Sequence, residues 1–187
     1  MDNRHFYFNN GYKSYSYWFS CKAAVKMKVL SILVIFYILP VFADINPSYS
    51  VCFTPPHKQC GHFISNHINQ AKESIYVQAY GFTHTEIIDS LIEATKRGVK
   101  VEIILDSSNF SAKKLVLIEE LKKLGIKIHK AKVSGIAHNK IMIIDKKKVI
   151  TGSFNFTESA DKRNAENVLV IINKRLANKY LENYKKY

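Results

Sequence analysis

Three pieces of sequence decide the fold: IAHNKIMIID (Ile136–Asp145), KKVITGSFN (Lys147–Asn155) and ENVLVII (Glu166–Ile172). Each is short, rich in β-branched residues and bounded by polar or glycine-containing turns, and no helical period fits between them. They are expected to be consecutive strands joined by tight connections. Upstream, strand-like and helix-like segments alternate instead. Residues 50–54 read as a first strand, Ile64, Ile68 and Ala71 recur at helical spacing, and SIYVQAY (Ser74–Tyr80) alternates in the strand manner. Thr83 or Thr85 can cap a helix whose stripe is Ile87, Ile88, Leu91, Ile92 and Ala94, stopped by Gly98. VKVEIIL (Val99–Leu105) is the next strand. Ser111–Leu124 is a helix with Leu115, Ile118 and Leu121 inside and Gly125 as its stop, and IKIHKAKV (Ile126–Val133) is a fourth strand. A last helix from Lys174 sets Leu176, Tyr180, Leu181 and Tyr184 on one side. This alternation predicts an α/β layer structure, with no internal repeat and no linker.

The chain has 187 residues, 47% of them hydrophobic, enough for one domain with a real core and hardly for two. Its formal charge of +13 calls for an anionic partner: nucleic acid, a phosphate ester or a negatively charged membrane surface.

From Met27 the sequence reads MKVLSILVIFYILPVFA, with a basic start at Lys28, an apolar run over Val29–Leu39 and a small-residue cleavage pattern ending at Ala43. Residues 27–43 are expected to be a signal peptide cleaved after Ala43, the alternative being an uncleaved anchor. Residues 1–26 read as an upstream extension, Met27 being the expected start. Residues 44–187 are expected to be the single mature domain, exported to the periplasm or beyond. Without residues 1–43 the chain keeps 23 bases and 14 acids, a charge of +9. Cys52 and Cys60 then remain as a pair in an oxidising compartment, where a disulfide across the Pro55-Pro56 turn is expected, with two buried thiols as the alternative.

The chemistry lies between Ala137 and Asn167. His138-x-Lys140 places an imidazole and an ammonium group two residues apart, on one side of a strand, with Asp145 on the other. A phosphodiester is anionic and repels hydroxide, whereas a neutral imidazole can attack it while Lys140 neutralises a non-bridging oxygen. Ser153 and Asn155 offer further donors to that phosphate, and Gly152 allows close backbone approach. Glu166 is expected to accept from the far nitrogen of the imidazole and orient it. Asp145 opens a turn of Lys146, Lys147 and Lys148 and reads as structural. His62, His67, His84 and His129 share no ligand spacing and read as surface or helix-end residues, so no metal site is expected.

By itself H-x-K-x4-D is a weak signal. The ordered set of His138, Lys140, Asp145, Gly152-Ser153-x-Asn155 and Glu166 resembles the signature of the phospholipase D superfamily, and QAYGFT (Gln78–Thr83) and VEIILD (Val101–Asp106) extend the likeness to its short bacterial members. The resemblance implies a mixed β-sheet flanked by helices on both faces, forming a half-unit that dimerises. It implies a covalent phosphohistidine, a second histidine protonating the leaving alcohol, and no cofactor or metal. One motif copy per chain implies a symmetric homodimer with two His138 side chains at a shared site. The substrate it implies is a phospholipid such as phosphatidylcholine, cut to phosphatidic acid and an alcohol. The alternatives are a non-specific endonuclease of the same mechanism and an inactive nucleic-acid- or surface-binding module. Lys122, Lys123, Lys146, Lys147 and Lys148 suit either a DNA backbone or an anionic bilayer.

Overall fold

The computed structural model describes residues 48–55 and 59–187; the expected extension and signal peptide, residues 1–26 and 27–43, lie outside the described residues. The strands are β1 (Ser48–Thr54), β2 (Ser74–Ala79), β3 (Lys100–Leu105), β4 (Lys127–Lys130), β5 (Lys140–Ile144), β6 (Lys148–Gly152) and β7 (Glu166–Ile172). They form one sheet in the order β1-β7-β6-β5-β2-β3-β4. Parallel pairing joins β2, β3 and β4, while the pairs from β2 through β5, β6 and β7 to β1 are antiparallel. Crossover helices make the parallel half, and in the antiparallel half only β5 and β6 are joined by a tight turn. The sheet is therefore mixed, as expected.

Helices α1 (Cys60–Asn69), α2 (Thr85–Lys96), α3 (Ala112–Lys123) and α4 (Glu158–Lys162) cover one face. There Ile64, Leu91, Leu121 and Ala160 pack against Val77, Ile103, Met142 and Val170. Helix α5 (Lys174–Tyr184) covers the other, where Ala177, Leu181 and Tyr184 meet Ile104, Ile141, Ile143 and Val149. Strand β5 shows the alternation at its clearest: Met142 and Ile144 point into the first cluster, Ile141 and Ile143 into the second. A strand buried on both faces has no polar position to spare, which is why KIMII reads as an unbroken apolar run after its lysine.

Four local expectations change. The connection between β6 and β7 contains α4, whose first turn is capped by Thr157 accepting from the Ala160 N–H and anchored by buried Ala160. At five residues it is too short to show a period. The strand expected over Ile126–Val133 stops at Lys130, because β4 is an edge strand paired only with β3. Leu115 is 37% exposed, so α3 buries Ile118 and Leu121 but not its first leucine. Neither Thr83 nor Thr85 is the cap of α2: His84 holds that position without a side-chain bond, and the Glu158 carboxylate accepts from the Thr85 N–H at 3.2 Å.

Candidate active site

His138, Lys140, Ser153, Asn155 and Glu166 gather at one end of the sheet, where β2, β3 and β6 finish and β5 and β7 begin. Pairing of Ala79 with Lys140 sets that end, and the Tyr80 N–H extends it by donating to the Asn139 carbonyl at 3.0 Å. His138 stands in the loop just before β5, exposed, with its ring edge-on to Tyr80 at 4.7 Å between centroids. The strand alternation expected for His138 and Lys140 thus begins only at Lys140. Their link is closer than a shared face: Lys140 Nζ donates to the His138 carbonyl at 2.9 Å and sits 5.4 Å from the Tyr80 ring centroid. Lys140 is 9% exposed. Burial holds its ammonium below the ordinary lysine value, and the Glu166 carboxylate opposes that shift.

The second half of the site comes from the end of β6. Phe154 and Phe156 are buried in the core, and Ser153 and Asn155, which alternate with them, are exposed and half-buried respectively. Gly152 is obligatory, because a Cβ there would overlap the carbonyl oxygen of Asn167. Ser153 donates its hydroxyl proton to Glu166 and accepts from the backbone and side-chain N–H groups of Asn167 at 3.1 and 3.2 Å. Asn164 Nδ2 donates to the other Glu166 oxygen at 2.9 Å. The expected hydrogen bond between Glu166 and the His138 ring is not present among the described residues; Ser153 and Asn164 occupy the carboxylate instead. Asn155 keeps a buried Oδ1 with no hydrogen-bond partner among the described residues.

Asp145 lies at the far end of β5. Its φ of 53° and that of Lys146, 52°, bend the chain into β6, as a two-residue hairpin turn with positive φ at both positions does. The carboxylate accepts from the N–H groups of Lys72, Glu73 and Ser74, at 3.0, 2.7 and 3.0 Å for the shortest of each. Burial pushes the carboxyl up, but these bonds outweigh it and hold the group below the usual carboxylate range. Lys146, Lys147 and Lys148 share this end, opposite to His138, so they do not line the site.

Cys52 of β1 and Cys60 of α1 are joined by a disulfide. The N-terminus of α1 is held by Asp161, which accepts from the Cys60 and Gly61 N–H groups at 2.8 and 3.2 Å. His84 is a correction to the reading of a surface histidine: it ends a helix but is 4% exposed, 3.4 Å from Asp161 through Nε2. It fits there because position 61 is glycine, where any Cβ would overlap its ring. Among the described residues no three His, Cys, Asp or Glu side chains converge as a ligand set.

Three residues that position the site escaped the sequence reading. Tyr80 backs both His138 and Lys140. Asn109 Nδ2 donates to the Tyr80 carbonyl at 2.7 Å. Asp106 accepts from the Ala137 N–H at 2.8 Å, one residue ahead of His138. Tyr80 and Asp106 stand inside QAYGFT and VEIILD, at strand ends, which was the available signal; Asn109 carried none.

Fold and site define a class: an α/β domain whose mixed sheet presents imidazole, ammonium, hydroxyl and carboxylate groups together at one end. A family model described as "Cardiolipin synthase, PLD-like domain" matches residues 64–187. A relative named Phospholipase D from Rickettsia conorii is 56% identical over 135 residues, 72% of this chain and 66% of that protein, so the chain spans just under two thirds of it. Among solved structures, the phospholipase D family member Nuc from Salmonella typhimurium superposes with a TM-score of 0.70 at 35% identity, covering 75% of this chain and 93% of that one. NucT from Helicobacter pylori gives 0.69 at 28% identity, covering 75% and 95%. The chain belongs to the phospholipase D superfamily.

Proposed function

We propose that this chain is a phosphodiesterase that works through a covalent phosphohistidine on His138, and that its substrate is a phospholipid such as phosphatidylcholine. The observation that carries the reading is that the exposed His138 ring and the buried Lys140 ammonium both pack against Tyr80, with Lys140 Nζ bonded to the His138 carbonyl. In the first step an imidazole nitrogen bonds to phosphorus while the P–O bond to the alcohol breaks, and the alcohol leaves with a proton from a second histidine. In the second, water attacks the phosphohistidine and gives up its proton to that second histidine, restoring it, while the P–N bond breaks to release phosphatidic acid and the free imidazole. Lys140 stabilises the charge on the phosphoryl oxygens, with Ser153 and Asn155 beside it. Glu166 holds Ser153 and favours the charged form of Lys140.

The second histidine is His138 of another copy, so the working form is a homodimer with the site shared across its axis. The single motif copy in the chain supports this. The Rickettsia relatives named Phospholipase D support the lipid substrate, and the Cys52–Cys60 disulfide supports export to an oxidising compartment. The test is a paired assay of the full chain and its His138→Ala variant on phosphatidylcholine vesicles and on single- and double-stranded DNA. Loss of phosphatidic acid release in the variant is the expected result. Activity confined to DNA overturns the lipid substrate, and activity that survives the substitution overturns the mechanism. Sedimentation of the active species as a monomer would remove the dimer.

A further inference from the structure

Along the β3–β4 edge, next to the C-terminal end of α5, lies a cleft of about 620 Å³. Ile104 and Ile128, both nearly buried, and half-buried Phe110 line its apolar part. Lys122, Lys130, Lys132 and Lys185 also line it and are exposed. Apolar surface lies deep and ammonium groups lie towards the mouth. Ile104 and Tyr184 belong to the same apolar cluster as Ala137, the residue before His138. The cleft therefore adjoins the support of the active site without containing any of its reacting groups.

The cations of this cleft are not balanced by nearby acids. Among the described residues Lys130, Lys132 and Lys185 have no carboxylate partner, and Lys122 pairs only with exposed Glu119. Glu102, the one acid in the lining, is held by Lys100 at 3.0 Å. Tyr184 adds a polar group that is out of place in an apolar wall: it is 5% exposed and its hydroxyl has no hydrogen-bond partner among the described residues. Burial raises its pKa, which keeps the phenol neutral and able to donate. Unpaired ammonium groups around an apolar interior suit an anion attached to something apolar. A polynucleotide would set sugar and phosphate against Ile104 and Ile128 and leave that surface poorly covered.

We infer that the cleft is a second anion site, which takes the phosphate ester of an anionic phospholipid, with the lysines on the phosphate and the apolar lining on the adjoining chain. It is separate from the diester cut at His138 and would hold a neighbouring lipid. Its role rests on the proposed phosphodiesterase activity; its binding does not.

Binding is measured by calorimetry on the full chain carrying His138→Ala, so that turnover does not intervene. The probes are dihexanoylphosphatidylglycerol below its micelle-forming concentration, inorganic phosphate and a single-stranded oligonucleotide. The lipid should bind, and Lys130→Glu with Lys132→Glu should weaken it roughly thirtyfold or more, at about 1 kcal/mol per lysine. Tyr184→Phe should weaken it roughly threefold, and Lys132→Ala provides a milder variant if the double change disturbs folding. Inorganic phosphate should bind more weakly and lose affinity with the same lysines. Lipid binding indifferent to these changes, phosphate binding as tight as lipid, or tighter lysine-dependent binding of the oligonucleotide would each overturn the inference. With His138 intact, Lys130→Glu with Lys132→Glu should leave hydrolysis of bis(p-nitrophenyl) phosphate unchanged. If the unsubstituted chain fails to cleave that diester, the activity is refuted while the binding result stands.

Discussion

The carboxylate of Asp106 binds the loop that carries His138: Oδ2 accepts from the Ala137 N–H at 2.8 Å, and Oδ1 accepts from the Ser108 N–H at 2.9 Å. Asp106 is 1% exposed. Burial alone would raise its carboxyl, yet the backbone bonds outweigh it and hold the group below the usual range. Asp106→Ala leaves two donors short of their acceptor, at roughly 1–3 kcal/mol for each that stays buried. We expect lower stability on urea unfolding and, with His138 no longer fixed, a fall in kcat of about tenfold or more with KM little changed. An unchanged kcat in folded variant would show that the loop is held by other means.

Asp145→Ala separates scaffold from chemistry. Three backbone N–H groups lose their acceptor, so stability should fall by roughly 2–4 kcal/mol. Turnover per folded molecule should stay within about twofold, because the residue sits at the opposite end of β5 from His138. A drop of two orders of magnitude in correctly folded protein would return Asp145 to the catalytic group.

Gly152→Ala tests the close approach of β6 and β7. The added Cβ meets backbone rather than a flexible side chain, so the overlap with the Asn167 carbonyl cannot be relieved by a rotamer change. We expect a loss of about 2–4 kcal/mol on urea unfolding, and displacement of Ser153 with impaired hydrolysis even where the protein folds. Serine at the same position should do no better.

His67 makes stability depend on pH. Lys148 Nζ lies 3.0 Å from His67 Nδ1, which can accept only while the ring is neutral. Burial, with Lys148 adding to it, lowers the pKa of His67 to about 4. Between that value and the unfolded value near 6.5 the unfolded chain binds the extra proton, so stability rises with pH. The contribution is complete above about pH 6.5 and is lost as pH falls towards 4. Thermal melts across this range should show the slope, and His67→Phe should flatten it.

The sheet was legible because its strands are short runs rich in β-branched residues, alternating where one face is buried and unbroken where both are. Ile141 to Ile144 and Val168 to Ile172 could hardly be read otherwise. The motif residues were legible as a set, since Ser153 and Asn155 alternate with the buried Phe154 and Phe156. Other features depend on partners far away in sequence. Helix α4 has too few residues to display periodicity, and its place is set by Ala160 filling the core. His84 looked like any polar residue at a helix start; its burial depends on Gly61 lacking a side chain and on Asp161 arriving from α4. Glu166 was expected against the His138 ring; its bond to Ser153 depends on the β6–β7 pairing, which sets the two side chains opposite each other.

The clamp at Asp145 also gives the active site a fixed origin of measurement. Strands β2 and β5 run side by side from that carboxylate to Tyr80 and Lys140, about 17 Å away at ~3.3 Å per residue. Because strand length is nearly inextensible, pinning Ser74 to Asp145 determines which residue of one strand stands opposite which residue of the other at the remote end. A slip of one position would turn Lys140 to the other face of the sheet and dismantle the Tyr80 contact. The carboxylate thus acts as a gauge stop, setting the alignment of an imidazole and an ammonium group that it never touches.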